Sequence, residues 1–291
     1  MTSSPASETQ GKPETLLAAA LCVLQTADAR EKARLTHLFA VAWKQGDMES
    51  GFTLAETPDK ISAQLPLRPA RPARPELLSP LEMPKRKVGD AKGLIALLHA
   101  LAHIELNAID LAWDIILRFG ETVQNISNPE VGRTFCDDWV TVADDEARHF
   151  VMLAERLSEL DSHYGALPAH DGLWEAAIST RHDLLARLAL VPMVLEARGL
   201  DVTPATIARL ERLGQHEEAA ILDKIYKDEI AHVAFGVKWF EFMADKDGLD
   251  AREAWRDLVR QHFRGQIKGP FNVEGRQNAG FSAEYYELPT D

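Results

Sequence analysis

A helical repeat of apolar residues runs from residue 91 to residue 264, and it decides the fold class. Apolar side chains recur every three or four positions, as at Leu94, Leu98 and Ala102. Residues at that spacing share one face of an α-helix. No sustained alternation of apolar and polar residues, the pattern of a half-buried strand, accompanies it. The sequence therefore predicts an all-α protein.

The composition is that of a folded chain without membrane spans or a disulfide framework. Of 291 residues, 46% are hydrophobic and 26% are charged, which excludes a disordered or collagen-like chain. No run approaches ~18 consecutive apolar residues, so no membrane contact is expected. Cys22 and Cys136 are too few for a disulfide scaffold. The N-terminus lacks the basic region of a secretory signal, and a cytoplasmic location is expected.

The net charge of −13 argues against nucleic acid as a partner. Binding of a phosphate backbone needs a positive face, which an acidic protein generally lacks. Nucleic acid is therefore not an expected partner, whereas small molecules and metal ions remain compatible with the charge.

Changes in composition divide the chain into four segments. Residues 1–46 read as two N-terminal helices that break near Asp28. Residues 47–90 form a proline-rich extended arm. Residues 91–264 hold a four-helix bundle with an added helix, and 265–291 form an irregular tail that packs on the bundle. The expected helices in the bundle segment span residues 91–120, 129 to about 157, 172–198 (stopped by Gly199), 203–213 (capped by Thr203-Pro204), 215–244 and 251–263.

The arm is the one basic stretch of the chain. It has six prolines between residues 66 and 84, and its cations are Arg68, Arg71, Arg74, Lys85, Arg86 and Lys87. Prolines at this density favour extended, polyproline-like backbone. Two interpretations stay open: a solvated strap that pairs with the acidic body, or a docking site for an anionic partner such as RNA.

Four glutamates lie within the apolar stripes of predicted long helices: Glu105, Glu146, Glu196 and Glu229. An ionised carboxylate on a buried face is costly unless it is paired or binds a metal. Four such groups facing one core would repel one another, and two divalent cations would neutralise them. The sequence therefore predicts a metal centre.

A histidine follows two of these glutamates at the spacing of one helical turn, His149 after Glu146 and His232 after Glu229. One Glu from each of two helices and Glu-x-x-His from two others is the ligand set of di-iron and di-manganese bundles. Glu146 and Glu229 are the bridging candidates. The expected ligand sets are Glu105, Glu146 and His149 for one metal and Glu196, Glu229 and His232 for the other.

An aspartate precedes each Glu-x-x-His motif, Asp145 in one and Asp228 in the other. A metal-bound imidazole donates its other N–H to a carboxylate that fixes its orientation. We therefore predict a crossed pairing in which Asp145 holds His232 and Asp228 holds His149. The alternative is that both aspartates are merely solvated.

Two further residues lie beside the predicted ligands. Tyr226 is three residues before Glu229, where it is either a catalytic residue close to the substrate or a packed tyrosine. Pro192 is one turn before Glu196, where it removes a helix hydrogen bond and is expected to open the helix beside the site.

These motifs resemble those of the ferritin-like superfamily of di-metal carboxylate proteins. The Asp-Glu-Ala-Arg-His run at 145–149 is similar to the motif of bacterial di-iron monooxygenases. Nearly the whole chain resembles a bacterial ferritin-like family of unknown function, including the closing residues 268–274, Arg276 and 279–281. A tRNA-modifying hydroxylase that oxidises a prenylated adenosine resembles it more distantly in fold.

The resemblance implies the fold and the metal site. The carboxylate-rich ligand set favours an oxidoreductase that activates O₂ at two iron ions, with manganese as the alternative, and oxidises a small organic substrate. Its electrons would come from a reductase or ferredoxin partner. Alternatives are peroxide disproportionation, iron handling, a tRNA-hydroxylase-like activity and a non-catalytic bundle. The substrate, the donor and the oligomeric state are left open, a homodimer being one option.

Overall fold

A computed structural model describes residues 13–52, 65–79, 82–84 and 90–287. Over these residues it contains helices and no β-strand, which confirms the all-α prediction. The helices are α1 (Leu16–Gln25), α2 (Ala29–Gln45), α3 (Ala91–Ile126), α4 (Pro129–Glu159), α5 (Gly172–Ser179), α6 (Leu184–Leu190), a π-helical segment (Val191–Glu196), α7 (Ala197–Arg212), α8 (His216–Lys246), α9 (Ala251–His262), α10 (Val273–Asn278) and α11 (Ala283–Tyr286).

The two N-terminal helices have the predicted break between them. The Asp28 carboxylate accepts a hydrogen bond from the backbone N–H of Glu31 at 2.8 Å, which caps α2. Gly46 ends α2 with a φ of 80°, a left-handed conformation that glycine adopts without steric cost. Helix α1 packs on α3, and α2 packs on α4.

Helices α3 and α4 form the most extensive helix pair of the described chain. The Asn128 side chain caps α4 and Pro129 occupies its first position, as predicted. The connection is so short that the two helices run antiparallel. Helix α3 is 36 residues long and apolar enough to cross a membrane, but 72% of its apolar window is buried inside the protein. It therefore has the environment of a core helix.

The predicted single helix over 172–198 is wrong. Helix α5 ends at Ser179, and Asp183 starts α6 by accepting a hydrogen bond from the Ala186 N–H at 3.0 Å. A capping aspartate satisfies backbone donors at a new helix start, which favours the interruption. The backbone then widens into the π-helical segment around Pro192. This agrees with the expectation that Pro192 opens the helix.

The predicted stop at Gly199 and the predicted helix start at Thr203-Pro204 are also wrong, because α7 runs through both. Pro204 lacks an N–H and so leaves the carbonyl of Leu200 without its usual helical donor. The Asn272 side chain of the C-terminal tail donates to that carbonyl at 3.0 Å. A contact between segments distant in sequence therefore removes part of the cost of a proline inside the helix.

The described part of the proline-rich arm lies across the body without helix or strand. Arg71 pairs with the buried Asp110 at 2.9 Å and donates to Asn107 at 2.8 Å. Arg68 pairs with Asp171. These pairs fit the strap interpretation. The cations at 85–87 lie outside the described residues.

The C-terminal tail packs on the body but is less irregular than predicted. It contains α10 and α11, and residues 288–291 lie outside the described part. Tyr286, Phe281 and Phe271 surround the guanidinium of Arg276, whose carbon lies 4.4 to 5.1 Å from their ring centres. Arg276 also pairs with Asp201 at 2.8 Å, which ties the tail to α7.

Candidate metal centre

Three helices and the π-helical segment direct acidic and imidazole groups into one buried space. Helix α3 supplies Glu105, and the π-helical segment ends in Glu196. Helix α4 supplies Glu146 and His149, each one turn from the other, and α8 supplies Glu229 and His232 in the same way. Both histidine side chains are fully buried, and the Glu146 side chain is 1% exposed.

The tightest group contains Glu105, Glu146, His149 and Glu229. Each offers one ligand atom, and these four atoms lie within 4.8 Å of one another. The Nδ1 atom of His149 is 3.2 Å from Glu105 Oε2 and 3.5 Å from Glu146 Oε2. Glu229, assigned from the sequence to the second ligand set but also as a bridging candidate, thus lies with the first set.

The second histidine mirrors the first. His232 Nδ1 lies 3.1 Å from Glu146 Oε1 and 3.6 Å from Glu229 Oε2. One oxygen of Glu146 therefore faces each histidine, and the two imidazole centres are 6.1 Å apart. This places Glu146 between the two halves of the cluster, where a bridging carboxylate would lie.

The crossed hydrogen bonds expected from the sequence are present. His149 Nε2 lies 3.0 Å from Asp228 Oδ2, and His232 Nε2 lies 3.2 Å from Asp145 Oδ2. Each histidine therefore turns Nε2 toward an aspartate and Nδ1 toward the glutamates. An Nε2–H donated to the aspartate leaves the Nδ1 lone pair available to a cation.

Several buried atoms of the cluster have no hydrogen-bond partner among the described residues. They are both oxygens of Glu146, Oε2 of Glu196 and of Glu229, and Nδ1 of His232. Buried polar atoms are nearly always paired, so an accumulation of unpaired ones needs an explanation. His232 Nδ1 and Glu146 Oε1 approach to 3.1 Å without hydrogen-bond geometry. Such a close approach is expected when the lone pairs of both atoms point toward one shared cation.

Burial and mutual repulsion disfavour the anionic form of three of the four carboxylates. Burial, together with the charge of Glu146, raises the pKa of Glu105. Burial and the charges of Glu229 and Glu146 raise the pKa of Glu196. Burial and the charge of Glu146 raise the pKa of Glu229. Burial would also raise the pKa of Glu146, but the adjacent carboxyl group of Glu105 and the two imidazoles lower it. The cluster therefore requires bound positive charge, from protons or from metal ions.

The donor set fits divalent metal ions with hard ligand preferences. Four carboxylates and two imidazoles match the set of di-iron and di-manganese bundles. Cys136 is buried on α4 but is absent from the group of potential ligands. No thiolate joins this oxygen-rich group, and carboxylates and imidazoles are ligands of several divalent metal ions.

The comparisons with known proteins place the chain in a family. The model of a protein family of unknown function, DUF455, matches residues 25–287. The chain belongs to this family. An uncharacterised protein of Haemophilus influenzae is 42% identical over 213 residues, which are 73% of each chain. No solved structure matches the chain. The DUF455 match takes in all six potential ligands and both aspartates.

The structure gives Tyr226 a packing role. Its hydroxyl accepts a hydrogen bond from Asn272 Nδ2 at 2.9 Å, and its ring packs against the hydrophobic core. Asn272 thus connects the tail to the helix that carries Glu229, which the sequence analysis did not foresee. Its only sequence signal is its position as a helix-capping residue before α10.

A cation lies beside each crossed aspartate on the outer side. Arg148 pairs with Asp145, and Lys224 pairs with Asp228. Lys224 was missed, although it precedes Asp228 by four residues, a spacing that brings side chains together on a helix. The hydrogen bonds with Lys224 and His149 outweigh burial and lower the pKa of Asp228, which favours its anion.

Proposed function

We propose that this DUF455 protein is a ferritin-like di-metal oxidoreductase that binds two iron ions and uses O₂ to oxidise a small organic substrate. One observation carries the proposal. Six donor groups from three helices and the π-helical segment converge, several of their buried atoms are unpaired, and both histidines are oriented by crossed aspartates. A purely structural core has no use for four mutually repelling carboxylates.

The side chains have distinct proposed roles. Glu105, Glu146 and His149 would hold one metal, and Glu196, Glu229 and His232 would hold the other. Glu146 and Glu229 are the candidates for ligands shared by both. Asp145 and Asp228 fix the tautomers of the histidines so that both Nδ1 atoms face the metals. The surrounding apolar residues exclude water from the centre.

The metal pair supplies redox chemistry that no side chain provides. In a hydroxylation, one oxygen atom of O₂ enters a C–H bond of the substrate and the other becomes water. The balance requires two electrons and two protons. A separate reductase or ferredoxin-like protein would supply the electrons.

The alternatives rank lower on the described contacts. An RNA substrate would require free cations on the arm, yet Arg68 and Arg71 pair with Asp171 and Asp110. A di-manganese centre that disproportionates peroxide uses the same donors, and metal identity separates it from the leading proposal.

The test is metal content per chain after reconstitution with Fe(II) or Mn(II). We expect about two ions in the wild type and loss of both in the double variant Glu146→Ala, Glu229→Ala. Glu155→Ala, an exposed position on α4, is the matched control and should retain both ions. A wild type that binds neither metal would overturn the proposal. Preference for manganese together with peroxide turnover would replace O₂ activation with peroxide chemistry.

A further inference from the structure

A cavity of about 330 Å³ lies between the π-helical segment and the C-terminal tail. Its walls are mostly apolar, and the apolar lining residues are Met193, Val194, Leu195, Phe263, Ile267 and Phe271. Concave apolar pockets of this size with a few polar groups are typical of small-molecule sites. None of the metal-centre groups is among the lining residues.

The cavity adjoins the metal centre through the backbone. Met193, Val194 and Leu195 line it and directly precede Glu196. A π-helix has a wider turn than an α-helix, and such turns are often found at functional sites. A molecule in the cavity therefore lies against the segment that positions one carboxylate of the cluster.

The opposite wall is fixed in place by polar contacts. Asn272 donates to the Leu200 carbonyl and to the Tyr226 hydroxyl, at 3.0 and 2.9 Å. Arg276 Nη2 lies 2.8 Å from Asp201 Oδ2, and its Nε donates to Oδ1 at 2.9 Å. The tail is thus anchored to both α7 and α8. A preformed cavity binds a ligand without the entropic cost of ordering a loop.

The polar lining of the cavity is positively charged. Arg276 and Asp201 neutralise each other, which leaves Arg198 and Lys268. Arg198 is half exposed and lies 3.5 Å from the already paired Asp201. Lys268 is exposed and forms no ion pair within the described residues. Two cations beside an apolar cavity stand out on a protein with a net charge of −13.

We infer that this cavity binds the substrate of the proposed centre, and that the substrate is an apolar organic molecule with one anionic group, a carboxylate or a phosphate. The apolar part occupies the space between Val194 and Phe271, and the anion lies between Arg198 and Lys268. The inference rests on the proposed function for its catalytic meaning, while the binding itself requires no metal.

Binding is tested by titration calorimetry with probes of one chain length. Decanoate and decyl phosphate carry an anion, decan-1-ol is neutral and decyltrimethylammonium is a cation. We expect both anions to bind about fivefold more tightly than the alcohol, because exposed ion pairs contribute modestly. The cation should bind most weakly, and the preference should shrink at high salt. The ratio of decanoate to decyl phosphate identifies the anion.

Variants locate the site. Lys268→Gln should reduce the preference for decanoate over decan-1-ol, and adding Arg198→Gln should abolish it. Lys227→Gln removes an exposed cation that pairs with Asp223 on α8 and should change nothing. Ile267→Trp should fill the cavity and weaken all four probes. Equal affinity for anion and alcohol, or an unchanged preference in the double variant, would overturn the anionic assignment.

The test of the cavity can fail or succeed independently of the test of the proposed function. Titrations are run on metal-free and metal-loaded protein. Metal binding without any probe binding would overturn the cavity assignment alone. Decanoate binding to a chain that takes up no metal would support the pocket and overturn the oxidoreductase proposal.

Discussion

At the scale of single residues, each histidine has carboxylates on both sides of its ring. The Nδ1 atom faces glutamates, and the Nε2 atom faces an aspartate that forms an ion pair with a basic side chain. For His149, burial alone would lower the pKa, but the adjacent carboxylates of Glu105 and Glu146 prevail and raise it to about 10. In the metal-free protein a proton therefore occupies the position that a cation would take.

The crossed aspartates yield the first prediction at this scale. Replacing either one, by Asp145→Asn or Asp228→Asn, removes the charge that orients a histidine. We expect metal affinity to fall about 10- to 100-fold, as for partners of metal-bound histidines in general. Competition with a chelator measures the change. Asp223→Asn, an exposed position on α8, is the control, and equal affinities in all three variants would refute the role.

Much of this residue-scale arrangement was predictable. The Glu-x-x-His spacing and the preceding aspartates determine which face of a helix each side chain occupies. They do not determine how far one helix is shifted along another. That shift brings Glu229 into the group with Glu105, Glu146 and His149. It depends on packing between helices distant in sequence, which spacing within one helix cannot encode.

At the scale of elements, the π-helical segment depends on a close approach to α8. An added Cβ on Gly236 would lie 2.4 Å from Pro192 Cβ, so only glycine leaves room for the segment. Pro192 breaks the regular hydrogen-bond pattern, and Gly236 lets the widened turn pack. The sequence indicated that Pro192 would disturb its helix, but it did not indicate that Gly236 would lie opposite. A glycine inside a helix can be there for several reasons.

Two alanine substitutions test this contact. Gly236→Ala should lower the free energy of unfolding by about 1–3 kcal/mol, the usual cost of overpacking. Gly199→Ala, at a helical glycine with nothing within 4 Å of the added Cβ, should raise it by about 0.5–1 kcal/mol. Urea denaturation measures both. Similar changes in the two variants would contradict the packing argument.

The continuation of α7 through Pro204 shows where sequence reasoning fails at this scale. Local signals at Thr203-Pro204 favour a helix start. The structure continues the helix because Asn272, from the tail, donates to the carbonyl that the proline leaves free. Contacts between distant segments thus override local propensity, and a single sequence does not reveal them.

At the scale of the whole molecule, the cluster couples stability to pH. In the metal-free protein the pKa values of Glu105, Glu196 and Glu229 are raised, as are those of the two histidines. From about pH 5 to about pH 8 the folded chain then binds more protons than the unfolded chain. Its free energy of unfolding should fall as pH rises, by about 1.4 kcal/mol per pH unit for each extra proton.

Metal ions should reverse the sign of this dependence. Bound metals require ionised glutamates and neutral histidines, so below about pH 7 the unfolded chain binds more protons than the folded one. Stability of the metal-loaded protein should therefore rise with pH. Groups outside the centre, such as buried His103 with a pKa lowered to about 4, titrate in both forms and cancel in the comparison. Thermal unfolding from pH 5.5 to 8, with and without metal, measures the two slopes. Parallel curves would mean that the six groups do not exchange protons for metal, and the centre would be structural.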